Sequence, residues 1–400
     1  MSPPLAGCRV LEIGSTVAGP FCGRLLADFG AEVIKVEDPR GDAVRSMGKR
    51  LHGRSLYAAS IFRNKALVAI DLRTAEGRGL VADLAADSDV LVENFRPGSM
   101  EAWGMGYEAL AARNPRLVMV RISGFGQDGP YRDRPGYGVI GEALSGLRYI
   151  TGDPDRPPSR VAVSMTDYIT GLYAAFGTVL ALLARATTGR GQQIDAALYE
   201  CAFSFMEPWV PAYDKLGHVA ERSGSRLPES TPNNLYTTAD HGFVHIAAPG
   251  DGPFRRLADA MGMPGLPEDP RFATAVDRSA NEDELDDIVA GWAGSHDLTE
   301  VERTLAAVDV PASRIFSIAD IFGDPHVAAR GSIVRATDAQ LGTVAMTQVV
   351  PRLSDTPGSI EWAGGHTGQD TDRVLSDRLG LDIDRLGQLR RAGVIGGGST

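Results

Sequence analysis

Short apolar runs alternate with helix-like segments at the start of the chain, and this alternation constrains the fold more than any other feature. A helix is expected from about Pro20, since proline is preferred at the first helical position, to about Gly30. Strands are predicted at 8–13, 31–36, 90–93 and 117–123. Strands that alternate with helices form a mostly parallel sheet covered on both faces. We therefore predict an α/β fold with a Rossmann-like parallel sheet.

The chain has 400 residues, more than the roughly 100 to 200 that one domain usually contains. A polar stretch at 215–234 holds two prolines and two glycines and is predicted to be a linker. A smaller α+β domain is expected at 235–322, with a strand at 243–247 and helices near 252–262 and 283–306. We expect 1–214 and 323–400 to form one large domain together.

Charge and cysteine content narrow the possible partners. Acidic residues exceed basic ones to give a net charge of −11, so nucleic acid is not an expected partner. Cys8, Cys22 and Cys201 show no CxxC or Cys/His metal spacing, and we expect a reducing compartment. The apolar run at 168–184 contains Gly171 and Gly177 and is predicted to be a buried helix. We therefore expect a cytoplasmic protein with no secretory signal and no membrane partner.

One segment has the opposite charge from the rest of the chain. Residues 35–73 carry nine basic and four acidic side chains. A compact basic segment suits a small polyanionic ligand, because Arg and Lys bind phosphate oxygens well. A solvated face with internal ion pairs would show the same composition. Both interpretations remain open from charge alone.

The sequence lacks the motifs of several common nucleotide-binding, hydrolase and metal sites. The turn Gly14-Ser-Thr-Val-Ala-Gly19 is not GxGxxG, because Val17 stands where the second glycine belongs. GxSxG, P-loop and HExxH patterns do not occur in the sequence. His241 and His245 share one face of a predicted strand but have no third ligand nearby, so no metal site is predicted.

Asp167 is the most interesting carboxylate in the sequence. It precedes the long apolar helix in Ser164-Met-Thr-Asp167, where the helix dipole would keep it ionised. An ionised carboxylate is a competent nucleophile. Ser-x-x-Asp is also the pattern of a helix capping box, and this pattern alone does not decide between the two roles.

The chain resembles the class III coenzyme A transferases, a family that includes formyl-CoA transferase, carnitine CoA-transferase and alpha-methylacyl-CoA racemase. The order and spacing of the matching motifs are specific, and they run from end to end of the chain. The matching segments are 5–12, 18–20, 30–37, 41–42 with Arg45, 64–65, 90–98, 104–107, 124–131, 188–192, 324–330 and 365–367.

The resemblance implies a mechanism. Asp167 would attack an acyl-CoA thioester to form an aspartyl anhydride, and the CoA thiolate would then form a thioester on the enzyme. A carboxylic acid acceptor would reverse these steps. The expected partners are therefore an acyl-CoA and a small carboxylate, with CoA as substrate and no tightly bound cofactor.

The resemblance also implies a CoA site built from the N-terminal sheet and its loops. Formyl-CoA transferase has Gln at the position of Val17 and Arg at the position of Asp38, so Arg40 or Arg45 is expected to replace that charge. Gly138 stands where family members often place a carboxylate. The expected CoA contacts are Val17, Ala18, Asp38, Arg40, Arg45, Ile70, Asp71, Leu72, Arg73, Asn94, Phe95, Arg96 and Tyr137.

Two alternatives stay open within this resemblance. An acyl-CoA racemase would need a histidine base in 135–138, and Tyr137 is a poor base at neutral pH. A catalytically inactive CoA-binding protein is the other alternative. Gly250 and Gly252 fall near where some family members have a glycine-rich loop that closes over the site, but they resemble the glycine run of formyl-CoA transferase only weakly. As substrates, succinate or a branched C5 diacid is therefore favoured over formyl-CoA and oxalate.

The family resemblance finally predicts an assembly. Its members thread two chains through each other, each forming a ring around its partner. We therefore expect an interlocked homodimer, which would bury more surface than a transient pair does.

Overall fold

The computed structural model describes residues 2–397, and its main element is a parallel sheet. The strands are β1 Arg9–Glu12, β2 Glu32–Glu37, β3 Arg50–Leu51, β4 Arg54–Ser55, β5 Lys65–Ile70, β6 Val90–Glu93, β7 Val118–Ser123, β8 Gln193–Ala197, β9 Asn233–Thr237, β10 Phe243–Ala247, β11 Ala312–Arg314, β12 Ile333–Asp338, β13 Gly342–Thr347 and β14 Ile395–Gly396. The four strands predicted near the start of the chain are present as β1, β2, β6 and β7.

In the described part of the chain, seven strands form the central sheet in the order β14-β5-β2-β1-β6-β7-β8. All neighbouring pairs are parallel except β14 with β5. From β1 the chain adds β2 and β5 on one side, then returns to add β6, β7 and β8 on the other. The order therefore reverses between β1 and β6. The prediction of a mostly parallel α/β fold is confirmed.

Helices cover both faces of this sheet. The helices are α1 Ala18–Asp28, α2 Leu56–Ile61, α3 Ala75–Ala86, α4 Ser99–Ala102, α5 Tyr107–Arg113, α6 Gly138–Leu144, α7 Met165–Thr188, α8 Leu198–Phe203, α9 Trp209–Leu216, α10 Asp251–Ala260, α11 Ala275–Ala280, α12 Glu282–Ala293, α13 Leu298–Ala306, α14 Ile318–Gly323, α15 Pro325–Ala329, α16 Thr371–Leu379 and α17 Ile383–Arg391. Successive residues of β1 point to opposite faces, so Leu11 packs with α3, α5, α16 and α17 while Val10 packs with α1 and α7.

Helix α7 is longer and more exposed than the sequence predicted. It begins at Met165 rather than 168 and ends where Gly189 adopts a left-handed conformation with φ of 71°. Its buried face is rich in small residues such as Ala174 and Ala181, which pack close to α1. Only about a third of its most apolar stretch is buried. The prediction of a buried helix was therefore wrong for the face of α7 that points away from α1, which is exposed in this chain. By length and composition alone, α7 is apolar enough to cross a membrane.

The chain divides into two compact units. The first contains the sheet and consists of residues up to Leu147, Val161–Leu216, and the part from Ala329 onward. The second consists of Arg148–Arg160 and Gly217–Ala328. Its antiparallel sheet β11-β10-β9 packs on α10, α12 and α13 around a separate core. The sequence did not assign residues 148–160 to this smaller unit.

Candidate active site

The strand order reverses between β1 and β6, and a cavity of about 260 Å³ lies at the carboxyl ends of these strands. Open α/β sheets bind ligands at such a switch point, where the two loops diverge. The loop after β1 contributes Ser15 and Thr16, and the loop after β6 contributes Asn94 and Arg96. The wall is completed by Asp167. The cavity thus joins the most interesting carboxylate with several predicted CoA contacts.

Asp167 lies in the first turn of α7 rather than directly before the helix, as the sequence had suggested. The first turn has backbone N–H groups without helical partners, and these favour a negatively charged side chain. Ser164 precedes the helix, yet among the described residues its side chain accepts no capping hydrogen bond. A reciprocal capping box is therefore not formed, and that explanation of the Ser-x-x-Asp pattern fails.

Gly138 makes room for the carboxylate of Asp167. A Cβ atom built on Gly138 would lie 2.0 Å from Oδ2 and 2.8 Å from Cγ of Asp167. Gly138 is buried and opens helix α6. Any larger residue would displace the carboxylate or the helix, so the departure from the family pattern at this position has a steric consequence.

Tyr57 is a neighbour of Asp167 that the sequence did not reveal. Its hydroxyl lies 2.8 Å from the hydroxyl of Tyr168. Burial is the largest cause that raises the pKa of Tyr57, and the hydrogen bond to Tyr168 and the nearby carboxylate of Asp167 raise it further. Tyr57 therefore remains a neutral phenol beside the carboxylate. It lies on α2, far from Asp167 in sequence, and no local motif identifies it.

The turn after β1 is held in a conformation that threonine rarely adopts. Thr16 has φ of 71°, in the left-handed region. Its N–H donates to Oδ1 of Asp42 at 3.1 Å. Asn94 accepts from the N–H of Ser15 at 2.7 Å and donates to the Ser15 carbonyl at 2.8 Å. Three hydrogen bonds thus fix the cavity wall, and two of them come from the predicted CoA contact Asn94.

Buried ion pairs stabilise the residues that hold this turn. Lys35 Nζ lies 2.9 Å from Oδ2 of Asp42 and also donates to the carbonyl of Gly14. Lys65 Nζ lies 2.6 Å from Oε2 of Glu12. Burial opposes ionisation of Asp42, but Lys35 and the N–H of Val44 outweigh it and lower the pKa of Asp42. The carboxylate that accepts from Thr16 is therefore charged.

A second cavity of about 260 Å³ adjoins the first at Ser15 and Phe95. It is lined by predicted CoA contacts from three different strand ends, which the fold brings together. These residues are Asp38, Ile70, Asp71, Leu72, Arg73 and Phe95. Ala18, Asn94, Arg96 and Tyr137 line the first cavity instead. Val17 is buried in the core beside α2 and lines neither cavity.

The predicted phosphate-binding arginines differ in their availability. Arg45 donates to both carboxylate oxygens of Glu37 and to the Gly365 carbonyl. Arg40 pairs with Asp38 and lowers the pKa of Asp38 through its hydrogen bond. Arg73 does the same to the pKa of Asp71. Arg40 and Arg73 remain largely exposed, at 74% and 60% of their side-chain surface, whereas Arg45 is mostly buried.

Much of the basic segment neutralises acids elsewhere in the chain. Arg63 forms a fully buried pair with Asp28, and Arg54 pairs with Asp338. Lys65 pairs with Glu12. The local charge excess in the sequence is therefore not a free cationic surface, and internal ion pairs account for a large part of it. Within residues 2–397, no group of three or more His, Cys, Asp or Glu side chains could hold a metal ion.

Comparison with known proteins supports the same kind of site. The family model described as CoA-transferase family III matches residues 5–371. The succinyl-CoA--D-citramalate CoA-transferase of Chloroflexus aurantiacus is 48% identical and covers 98% of both chains. The succinate--glutarate CoA-transferase of Agrobacterium fabrum is 37% identical, covering 94% of this chain and 96% of that protein.

A solved structure agrees as well. The crystal structure of a CAIB/BAIF family protein from Brucella suis matches with a TM-score of 0.84 and 34% identity. The match covers 94% of this chain and 100% of the other. The chain therefore belongs to the class III CoA-transferase family and is an enzyme that moves CoA from an acyl-CoA donor to a carboxylic acid acceptor.

Proposed function

We propose that Asp167 is the nucleophile of this CoA transfer. The observation that carries the proposal is its position in the first turn of α7, where its carboxylate borders the switch-point cavity and rests against Gly138. The helix dipole favours the ionised form that nucleophilic attack requires. The neutral phenol of Tyr57 adds no competing negative charge beside it.

The reaction would proceed in two balanced halves. A carboxylate oxygen of Asp167 attacks the thioester carbonyl and the C–S bond breaks. CoA leaves as a thiolate, and the acyl group remains on Asp167 as an aspartyl anhydride. The thiolate attacks the aspartyl carbonyl, which releases the donor acid and leaves CoA on Asp167 as a thioester. The acceptor carboxylate then attacks this thioester, and the same two steps run in reverse. Covalent capture divides one difficult transfer into easier steps.

The two cavities suit the two ends of an acyl-CoA. They meet at Ser15 and Phe95, so an extended ligand could pass from one to the other. We place the reacting thioester in the first cavity, with Asp167, and the nucleotide end in the second. Arg40 pairs with Asp38, and Arg73 pairs with Asp71 and lies 3.5 Å from a carboxylate oxygen of Asp38. Both arginines are largely exposed, so their remaining N–H groups can donate to phosphate oxygens. Arg96 lines the first cavity and follows Phe95, which lines both.

We propose dicarboxylic acids as the acyl groups. The Chloroflexus relative is named for succinate and citramalate, and the Agrobacterium relative for succinate and glutarate. A second relative, 43% identical, is named for succinate and malate. Each of these acids carries two carboxyl groups. At this level of similarity, succinyl-CoA is the first donor to test.

We also propose that the enzyme is an interlocked homodimer. One side of α7 exposes Leu172, Phe176, Leu180 and Leu183, and α9 exposes Tyr213. A row of exposed apolar side chains on one face of a helix is typical of an interaction site. In the dimer, a second copy of the chain would cover this face of α7. Light scattering during dilution to nanomolar concentration measures the molar mass and so tests whether the dimer persists. A stable, active monomer of 42.5 kDa would contradict the proposal.

The nucleophile is tested by trapping. Hydroxylamine added together with succinyl-CoA should convert the activated carbonyl of Asp167 into a hydroxamate, which peptide mass spectrometry locates. Asp167→Ala should abolish both trapping and transfer while CoA still binds. Asp155→Ala, an exposed change in the other unit, serves as the control. Normal turnover in Asp167→Ala would refute the mechanism, and CoA binding without any transfer by the wild type would favour an inactive binding protein.

A further inference from the structure

The first cavity contains two arginines besides Asp167. They are Arg96 and Arg134, and no other charged side chain lines it in the described chain. Within residues 2–397, neither guanidinium lies within 4.0 Å of a carboxylate oxygen. Most other arginines around the sheet are paired, as Arg45, Arg63 and Arg121 are. The cavity therefore has two cationic groups with their hydrogen-bond donors available to a ligand.

Arg134 is held in place without using its donors. Its guanidinium carbon lies 3.6 Å from the centre of the Tyr131 ring, and its backbone N–H donates to the Tyr131 carbonyl at 2.9 Å. Tyr131 in turn contacts Phe125 edge to face. Stacking on an aromatic ring leaves the N–H groups at the edge of the guanidinium free for a carboxylate.

The segment that carries Arg134 is anchored to the catalytic centre. Gly136 packs so closely on Gly124 that a Cβ atom would lie 2.6 Å from the Gly124 Cα. Gly138, two residues later, rests against Asp167. Arg134 itself is exposed, but it begins a short segment whose two glycines pack closely, one on Gly124 and the other on Asp167. Arg96 instead adjoins Phe95, which lines both cavities, and suits the CoA side of the site.

A dicarboxylate substrate creates an electrostatic problem at this site. One carboxyl group reacts at Asp167, and the other stays ionised close to the Asp167 carboxylate. Like charges repel strongly in a partly desolvated cavity unless a cation lies between or beside them. Because a single nucleophile serves both half-reactions, donor and acceptor acyl groups occupy the same position in turn. One cation could therefore serve both.

We propose that Arg134 binds the unreactive carboxylate of the dicarboxylate acyl group and so selects dicarboxylates over monocarboxylates. The proposal rests on the function proposed above, and it assigns the substrate class to one side chain. A bidentate guanidinium–carboxylate pair also fixes the orientation of the acyl chain, which would point the reacting carbonyl toward Asp167.

The test compares two thioesters that differ only at the far end. Succinyl-CoA carries the second carboxylate, and butyryl-CoA has a methyl group in its place. Arg134→Gln should lower the ratio of their kcat/KM values about 10- to 100-fold, the loss expected for one charge-assisted pair. Arg132→Gln is the matched control, since Arg132 is a neighbouring arginine that lies beside Asp133 and not in the cavity wall. It should leave the ratio unchanged.

The outcomes separate the two proposals. If the wild type traps and transfers succinyl-CoA but Arg134→Gln keeps the wild-type ratio, the role of Arg134 is refuted and the nucleophile stands. An equal loss with both thioesters, together with weaker binding of free CoA, would make Arg134 a CoA contact instead. A wild type equally active on both thioesters refutes the selection of dicarboxylates, and one active on neither refutes the proposed substrate as well.

Discussion

A methyl group on Gly138 would lie 2.0 Å from Oδ2 of Asp167, a distance that no real contact allows. Gly138 does not need its conformational freedom here, because its backbone is not in the left-handed region. Glycine is required here because it has no side chain to collide with the Asp167 carboxylate. The glycine lets helix α6 begin directly against the carboxylate and fixes the position of that carboxylate in the cavity.

Gly138→Ala should therefore harm catalysis more than folding. The Asp167 carboxylate must move by about an ångström, and misplacement on that scale costs roughly 100-fold in rate. We expect kcat with succinyl-CoA to fall by about that factor while the far-UV spectrum stays native. Gly79→Ala is the matched control, because Gly79 lies in α3 with nothing within 4 Å of its built Cβ. Wild-type kcat in Gly138→Ala would contradict this account.

The sheet was predictable because its strands carry their own signals. β1, β2, β6 and β7 are apolar runs between turns, and α1 begins near a proline as expected. β5 was missed, since its first residue is the charged Lys65. Lys65 is tolerated in a buried strand only because Glu12 pairs with it, and that partner lies on β1, 53 residues away in sequence. Such a contact depends on the fold and leaves no local pattern.

The site was only partly predictable for the same reason. Asp167 was identified by its place before an apolar helix and by the family resemblance. Tyr57, Thr16 and Arg134 were not identified, because their roles arise from contacts between separate segments. The basic segment was the least informative signal, since sequence charge does not show which arginines already have buried partners, as Arg63 has in Asp28.

Asp42→Ala should damage both stability and substrate binding. It would leave Lys35 without its nearest carboxylate and the N–H of Thr16 without an acceptor. Breaking a buried pair in this way costs about 3 to 5 kcal/mol of unfolding free energy, which urea titration measures. The turn that lines the cavity would relax, so KM for succinyl-CoA should also rise.

Asp338→Ala is the matched control for this change. Asp338 is equally buried, pairs with Arg54 and accepts backbone N–H groups, but it lies on β12 and lines neither cavity. Its loss should lower stability and leave KM unchanged. Asp42→Asn, which keeps an acceptor for Thr16, should recover part of the KM effect. A KM that rises equally in both alanine variants would show that the effect is only general destabilisation.

The charge of Asp42 also predicts a pH dependence of stability. Its pKa is lowered in the folded protein below the ordinary value of 3.8. A lowered carboxyl pKa contributes stability that is present above the unfolded-state pKa and is lost as pH falls through the folded-state value. The difference in urea midpoint between wild type and Asp42→Asn should therefore be full at pH 7 and shrink below about pH 4. Asp155→Asn, at an exposed position, should follow the wild type at every pH. A constant difference from pH 7 to pH 3 would contradict this assignment.

The exposed side of α7 gives the last prediction, which concerns assembly. Phe176 and Leu183 are 59% and 63% exposed in a helix whose other face packs on α1. Phe176→Arg should put an uncompensated charge into the proposed interface, where removing it from water costs several kcal/mol. We expect the dimer to dissociate or the protein to be recovered as aggregate, as light scattering would show. Ile383→Arg is the matched control, because Ile383 is 84% exposed at the start of α17 but belongs to no such apolar face. A dimer of wild-type stability in Phe176→Arg would mean that α7 faces solvent and that any second copy binds elsewhere.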